Sequence, residues 1–287
     1  MYYRVLQIKY FKPRTLEEAI ELLTKVRNSR VLAGGTDLLV DLKTGRVSAE
    51  ALVDVGAIRE LRGIEDLGDR IRIGAATKLQ ELVESDVIAR ELPLLRKAVE
   101  SMGSWQIRNL ATVGGNLCNA SPAADTAPPL LAYEAELIIV GPRGTRVVPV
   151  TKFFTSYRRV ALEEGEILKE IVVRKSTWSG WSYIKLGRRS GFTLSIVSVA
   201  VLASTRGEVL EDVRIALGSV APTPIRAYKA EEYLRGREVG LGVLERAAEI
   251  AKEEVSPIDD VRASAWYRRE MVYRLTLDAL KTSLRWS

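Results

Sequence analysis

Two pairs of adjacent glycines constrain this chain more than any other feature. They stand in Ala33-Gly34-Gly35-Thr36-Asp37 and in Thr112-Val113-Gly114-Gly115-Asn116. In each case a short apolar run that reads as a strand leads into the glycines. Glycine lets a backbone approach its neighbour or a ligand closely and take up positive φ. Successive N–H groups at a helix start form a cradle for phosphate oxygens. Thr36 adds a hydroxyl donor and Asn116 an amide. One pair alone is explained as well by a tight turn that needs glycine, so the ligand reading rests on the two acting together. The familiar nucleotide signatures are absent. Gly240-Leu241-Gly242 opens a late helix without a third glycine, and no Gly-Lys-Ser/Thr sequence exists to make a P-loop.

The chemistry is bounded by what is missing. Histidine does not occur in the 287 residues, which removes the Ser-His-Asp triad, His-ligated metals and the commonest general base. A single cysteine, Cys118, excludes an internal disulfide and a four-thiolate iron–sulfur site, and it reads as a small buried thiol. Redox chemistry would therefore come from a bound organic cofactor. The net charge of +6 raises a nucleic-acid reading, but basic residues are dispersed among acidic ones. The densest spots, Arg188-Arg189 and Arg268-Arg269, read as solvated faces, and a basic stripe with interleaved aromatics is lacking. The charge is better assigned to acidic partner subunits or an anionic cofactor. No run approaches the roughly 20 apolar residues of a membrane span. Met1-Tyr2-Tyr3-Arg4 lacks the apolar core of a secretory signal, so a cytoplasmic protein is expected. Scarce Asn and Gln amid many charges fit heat adaptation.

Along the chain, Thr15 and Glu18 form a capping-box pattern before a helix with Ala19, Leu22, Leu23 and Val26 on one face. Strands are expected at 30–32 and 51–55, with a helix over 36–43 closed by Gly45. A second unit begins near Ile58. Ile71 and Ile73 alternate with Arg70 and Arg72 as a half-buried strand, Thr77 and Gln80 cap a helix, and 93–102 forms another. Residues 111–113 read as a strand entering the second glycine pair. The turn Gly141-Pro142-Arg143-Gly144 joins two strands. Beyond Ser176 the pattern predicts an antiparallel meander at 181–186, 196–203 and 209–218, then helices at 225–235, 241–255 and 263–286. In the last helix Val272, Leu275 and Ala279 share a face. A domain boundary is placed near 175, dividing 1–175 (subdomains about 1–56 and 57–175) from 176–287.

Three of the four asparagines fall within Asn109-Leu110-Ala111-Thr112-Val113-Gly114-Gly115-Asn116-Leu117-Cys118-Asn119, which marks a local hydrogen-bonding task. Small residues and a Pro-initiated helix follow, through Ser121, Asp125 and Pro128-Pro129. Asp125 or Thr126 either caps that helix or, in the case of Asp125, accepts hydrogen bonds from sugar or ribityl hydroxyls. These segments, LAGGTDLL and RNLATVGGNLCNASPAADTAPPLLAY, resemble the FAD-binding subunit of the xanthine dehydrogenase and carbon monoxide dehydrogenase family. FFTSYRRVALEEGEIL, YIKLGRRSGFTLSIVSVAV and DVRASAWYRREMV extend the resemblance in order over essentially the whole chain.

The resemblance implies an α+β fold. It consists of an FAD-binding domain of two subdomains, like that of vanillyl-alcohol oxidase, and a C-terminal domain with a three-stranded antiparallel sheet and helices. It implies FAD with its pyrophosphate on both glycine pairs. Ala33, Gly34, Gly35, Thr36 and Asp37 would line the first loop, flanked by Leu32 and Leu38. Thr112, Gly114, Gly115 and Asn116 would line the second, beside Ala111. Ser121 and Asp125 fall where the family contacts the ribityl or adenosine part. Leu168 matches a position near the adenine and Lys185 one near the flavin ring. Tyr183 stands either against the isoalloxazine or in a strand core. Phe192 and Thr193 replace an acidic residue common in the family. No catalytic or metal-binding residue is expected in this chain. The implied partners are a large molybdopterin-binding subunit and a small subunit with [2Fe-2S] clusters, as a dimer of heterotrimers. The resemblance makes the chain an electron-transfer subunit of an aldehyde oxidoreductase or carbon monoxide dehydrogenase type of molybdenum hydroxylase. The rivals are a stand-alone FAD-dependent oxidoreductase, which would need a proton donor or base in the C-terminal part, and a non-catalytic assembly subunit.

Overall fold

A computed structural model describes residues 7–286; the N-terminal Met1-Tyr2-Tyr3-Arg4 lies outside the described residues. The chain opens with β1 (Lys9–Phe11), α1 (Leu16–Lys25), β2 (Ser29–Leu32), α2 (Leu38–Lys43) and β3 (Ala51–Asp54). The strands form a parallel sheet in the order β1-β3-β2. Thr15 caps α1 by accepting from the Glu18 N–H, while the Glu18 carboxylate reaches the N–H of Arg14 rather than that of Thr15. Leu16, Ala19 and Leu23 bury the inner face of α1, and Val26 already lies in extended backbone as its C-cap.

The second unit places its helices between strands β4 (Ile64–Asp66) and β5 (Arg70–Gly74) and the later strands. The helices are α3 (Leu79–Glu84), α4 (Asp86–Glu91), α5 (Pro93–Glu100), α6 (Trp105–Leu110), α7 (Val113–Asn119) and α8 (Ala127–Ala132). They are followed by β6 (Glu136–Gly141), β7 (Gly144–Pro149), α9 (Val150–Phe153), β8 (Phe154–Ser156), β9 (Arg159–Val160) and β10 (Ile167–Arg174). The sheet is antiparallel in the order β4-β5-β10-β6-β7. Two expectations are corrected here. Lys78 precedes α3 as its N-cap, whereas Gln80 sits inside the helix, buried, bonded to Glu84 and Arg108. Residues 111–113 are not a strand: Thr112 makes one isolated bridge with Lys78 and then caps α7, so the second glycine pair lies in the first turn of a helix.

The C-terminal sheet consists of β11 (Gly180–Leu186), β12 (Val197–Arg206), β13 (Val209–Gly218) and a two-residue edge strand, β14 (Ile225–Arg226), in that order and antiparallel. β14 takes the start of the segment expected as one helix, leaving α10 (Tyr228–Leu234), then α11 (Leu241–Glu253) and α12 (Ala265–Leu284). β12 is buried without interruption from Val197 to Ala203, Ser198 included, because both its faces are covered. Ala200 and Leu202 join the core of the second unit, while Val197, Val199, Val201 and Ala203 pack with α11 and α12. On α12 the buried face runs through Val272, Thr276, Ala279 and Leu280, and Leu275 is only half-buried.

Arg268, read from sequence as part of a solvated face, is 1% exposed. Its Nη1 donates to the carbonyls of Ile196 at 2.6 Å and Ser219 at 3.0 Å, and its Nη2 to Asp260 Oδ1 at 2.8 Å. Only Arg269 of that pair is exposed. Burial would raise the Asp260 carboxyl, but hydrogen bonds from Arg262 and the charges of Arg262 and Arg268 outweigh it and hold it well below the usual range. Arg268→Ala removes one of several donors to Asp260, which keeps Arg262, and leaves the Ile196 and Ser219 carbonyls without their side-chain donor, so a loss of roughly 1–3 kcal/mol is expected from denaturant unfolding. The folded pKa of Asp260 lies below its unfolded value of about 3.9, so its contribution is present above that value and lost as pH falls below it. The stability gap between wild type and Asp260→Asn should thus be flat at neutral pH and narrow below about pH 4.

Candidate functional site

The first and second units meet at Gly34, where only glycine fits, and a second close approach lies within the second unit, at Gly114. A Cβ on Gly34 would lie 2.2 Å from the Leu110 carbonyl oxygen and 2.8 Å from Ala111 Cα. A Cβ on Gly114 would lie 2.6 Å from Ala75 Cβ and 2.7 Å from its carbonyl oxygen. One glycine of each pair therefore brings two backbones together. Gly35, at φ +71, turns the chain from β2 toward α2. The approach opens a cleft of about 650 Å³, within the usual range for small-molecule sites.

The two glycine segments present different chemistry to this cleft. Among the described residues no acceptor takes the backbone N–H of Gly34, Gly35, Thr36 or Asp37. Four successive free donors at the cleft surface make an anion cradle. In α7 the corresponding donors are committed. Val113 N–H goes to Thr77 O, Gly114 N–H to Ala75 O at 2.8 Å, Gly115 N–H to the Thr112 hydroxyl and Asn116 N–H to Thr112 O. The second segment thus contributes surface and side chains. Asn116 Oδ1 accepts from Thr126 at 2.6 Å, which leaves its amide donors for a ligand. Asp37 is pushed above the ordinary carboxylate range by burial, opposed by the charge of Arg158.

Asp125 is 4% exposed and anchors the C-terminal sheet to the cleft. Its Oδ1 accepts from Tyr183 Oη at 2.9 Å and from Ser195 Oγ, and its Oδ2 accepts from Lys185 Nζ at 2.7 Å. Lys185 also donates to the Ser101 carbonyl at 3.0 Å. Tyr183 and Lys185 are two apart on β11 and so face the same side. Lys185 reaches the cleft, but Tyr183 does not line it. Its hydroxyl is spent on Asp125 and held well above the usual phenol range by burial and that negative charge. Of the two sequence readings of Tyr183, the strand-core aromatic is the one the geometry fits. Thr126 caps no helix with its side chain; it bonds to Asn116 instead.

The remaining sequence-derived residues are placed as follows. Ala33 to Leu38, Ala111, Thr112, Gly114, Gly115, Asn116 and Ser121 all line the cleft, as does Leu168. Leu32 does not; it ends β2 and its Cδ1 backs Gly35. Cys118 also lines the cleft, with its thiol pushed up to about 12 by burial, and is therefore a neutral thiol. Sequence reasoning missed Asp41, Met102, Ile107, Arg158, Ile167 and Leu194. They come from separate elements and carry no shared spacing. The only available signal for Arg158 was the FFTSYRR segment. Among the described residues no cluster of acidic or thiol side chains could hold a metal ion, and no helix is long and apolar enough to cross a membrane.

A cleft between an α/β unit and a helix-covered antiparallel unit, lined by two glycine pairs of which the first keeps its N–H donors free, defines a protein that binds a phosphate-bearing cofactor. Residues 6–174 match the family described as the FAD binding domain in molybdopterin dehydrogenase, and residues 182–283 match the CO dehydrogenase flavoprotein C-terminal domain. A putative xanthine dehydrogenase FAD-binding subunit of Escherichia coli is 36% identical over 270 residues, covering 93% of this chain and 92% of the relative. The carbon monoxide dehydrogenase medium chain of Hydrogenophaga pseudoflava is 33% identical, covering 96% and 97%. A solved structure of carbon monoxide dehydrogenase from that organism, lacking the Mo-pyranopterin moiety of its cofactor, superposes with a TM-score of 0.96 over 99% of each chain. The chain belongs to the family of FAD-binding medium subunits of molybdenum hydroxylases.

Gly34→Ala is expected to force the two units apart and abolish tight FAD uptake. Gly242→Ala, in α11 with open space around it, should leave uptake unchanged and stabilise the fold by up to about 1 kcal/mol. Flavin content per chain, measured spectroscopically after reconstitution and desalting, checks both.

Proposed function

We propose that this chain is the FAD-binding electron-transfer subunit of a heteromeric molybdenum hydroxylase. It would take electrons from [2Fe-2S] clusters of a small partner subunit and pass them to an external acceptor. The organic substrate would meet a large molybdopterin-binding subunit, and the whole would assemble as a dimer of heterotrimers in the cytoplasm. The observation that carries the reading is the cleft that both glycine pairs line, with the row of free N–H donors at the first pair.

FAD supplies the ability to accept electrons singly and deliver them in pairs. The chain's own residues bind and orient. The N–H groups of Gly34 to Asp37 would hold the diphosphate, and Asn116 and Ser121 would serve the adjoining hydroxyls. Leu38 and Leu168 would wall the base end, with Lys185 at the ring end. Asp125 pairs with the Lys185 ammonium and fixes it, so that end of the cleft would present a held ion pair beside the ring. No proton-transferring base is required of this chain, in keeping with its lack of histidine. The cleft and the cradle would belong to residues 1–175, and residues 176–287 would close the ring end.

The purified chain should be yellow, with flavin absorbance at one FAD per chain. Co-expressed with its partners it should co-purify with iron, molybdenum and two further polypeptides. A chain that stays colourless when incubated with FAD would sink the reading. Flavin without any partner would turn it toward a stand-alone flavoprotein.

A further inference from the structure

The hairpin formed by β8 and β9 has no task in the function just proposed, yet it closes one end of the cleft. Its tip is Tyr157-Arg158, and Arg158 adopts a left-handed backbone at φ 53, uncommon for a residue with a side chain. From there Arg158 Nη1 donates to Asp41 Oδ2 at 2.8 Å, across 117 positions of chain. Both residues line the cleft. Asp41 is 6% exposed and is fixed on α2, where its carbonyl accepts from the N–H groups of Arg46 and Val47. The Arg158 side chain is 34% exposed. Among the described residues its other N–H donors have no acceptor.

The charges around it make the guanidinium more than a partner for Asp41. The free N–H donors of Gly34 to Asp37 lead directly into α2, so an anion seated there lies next to the Asp37 and Asp41 carboxylates. Glu166, also in the cleft wall, is matched by Arg146 at 2.6 Å. Arg30 lines the cleft too, but from an exposed position on β2. Arg46 also reaches the Asp41 carboxylate, at 3.4 Å, but its side chain is 67% exposed and outside the cleft lining; Arg158 is the cation within the lining beside Asp41, with donors to spare. Leu38, Ile167 and Leu168 supply apolar wall beside it. A planar guanidinium pinned at one corner by a carboxylate is suited to grip phosphate oxygens with its free edge.

We propose that Arg158 is a binding residue for the diphosphate of the nucleotide half of the cofactor, and that Asp41 is the positioning residue that holds it over the cleft. The inference rests on the FAD reading for the identity of the cofactor, but not for its test. The full chain, stripped of flavin, is titrated with FAD, ADP and riboflavin. Arg158→Ala should weaken FAD and ADP roughly 10- to 100-fold, as loss of a charge-assisted hydrogen bond does, and leave riboflavin within about twofold. The salt dependence of ADP binding should flatten by the loss of one contact. Arg158→Lys, which keeps the charge and the fold, should fall between. Asp41→Asn should shift ADP affinity in the wild-type background and not in Arg158→Ala. Equal weakening of ADP and riboflavin would make the hairpin a mere wall and overturn the proposal. ADP binding that ignores Arg158, or is absent from the wild type, would overturn it too. Arg158-dependent ADP binding in a chain that never takes up FAD would support the inference while defeating the flavin reading.

Discussion

The approach of Gly34 to the backbone of Leu110 and Ala111 is the contact on which the cleft depends. Any side chain at Gly34 would meet a carbonyl oxygen at less than van der Waals distance, and backbone, unlike a flexible side chain, has little room to yield. The same logic holds at Gly114 against Ala75. The Gly34 contact holds the first unit against the second at one separation, and the Gly114 contact seats α7 against the end of β5 within the second unit. The free N–H groups of residues 34–37 are a consequence: the chain leaves β2, turns at Gly35, and enters α2 with donors that no protein group reaches.

Asp125 does for the C-terminal sheet what the glycines do for the two units before it. A buried carboxylate is tolerated only when its charge and lone pairs are matched, and here the donors come from Tyr183 and Lys185 on β11 and from Ser195 just ahead of β12. Further contacts follow the same path. Ser219 donates its N–H to the Pro122 carbonyl, and Arg226, paired bidentately with Glu231, also reaches Glu134. Several polar groups at this seam are therefore satisfied across it. That directionality, which apolar packing lacks, sets how the C-terminal sheet faces the cleft.

Much of the fold was legible because its signals are local. The Thr15 cap, the Ile71/Ile73 alternation, the Pro142-Arg143 turn and the meander of β11 to β13 each depend on neighbours within a few residues. Misreadings arose where tertiary contacts override local pattern. Residues 111–113 look like a strand because Ala, Thr and Val suit extended backbone, yet Thr112 caps a helix and its one bridge goes to Lys78. Arg268 looks solvated in a run of two arginines, but the loop carrying Asp260 folds over it. Ile225 and Arg226 were read into a helix because pairing with β13 cannot be seen from their own spacing.

The sequence by itself determined where backbone must come close and where donors can be left free, since glycine is the only residue without a Cβ. By omission it also determined that the chain carries no histidine-based acid–base chemistry and no cluster of thiolates. Only the tertiary structure decided which groups the cleft presents. The two glycine pairs look alike on paper, but one keeps its N–H donors open and the other commits them to a helix. Asp125 lines the cleft as the sequence suggests, and the fold also makes it the acceptor that holds Lys185, Tyr183 and Ser195. Arg158 and Asp41 have no sequence relation at all until a hairpin folds across 117 positions to join them. Hydrogen bonds between such distant positions have no periodicity to betray them, so they appear only when the sheets are packed.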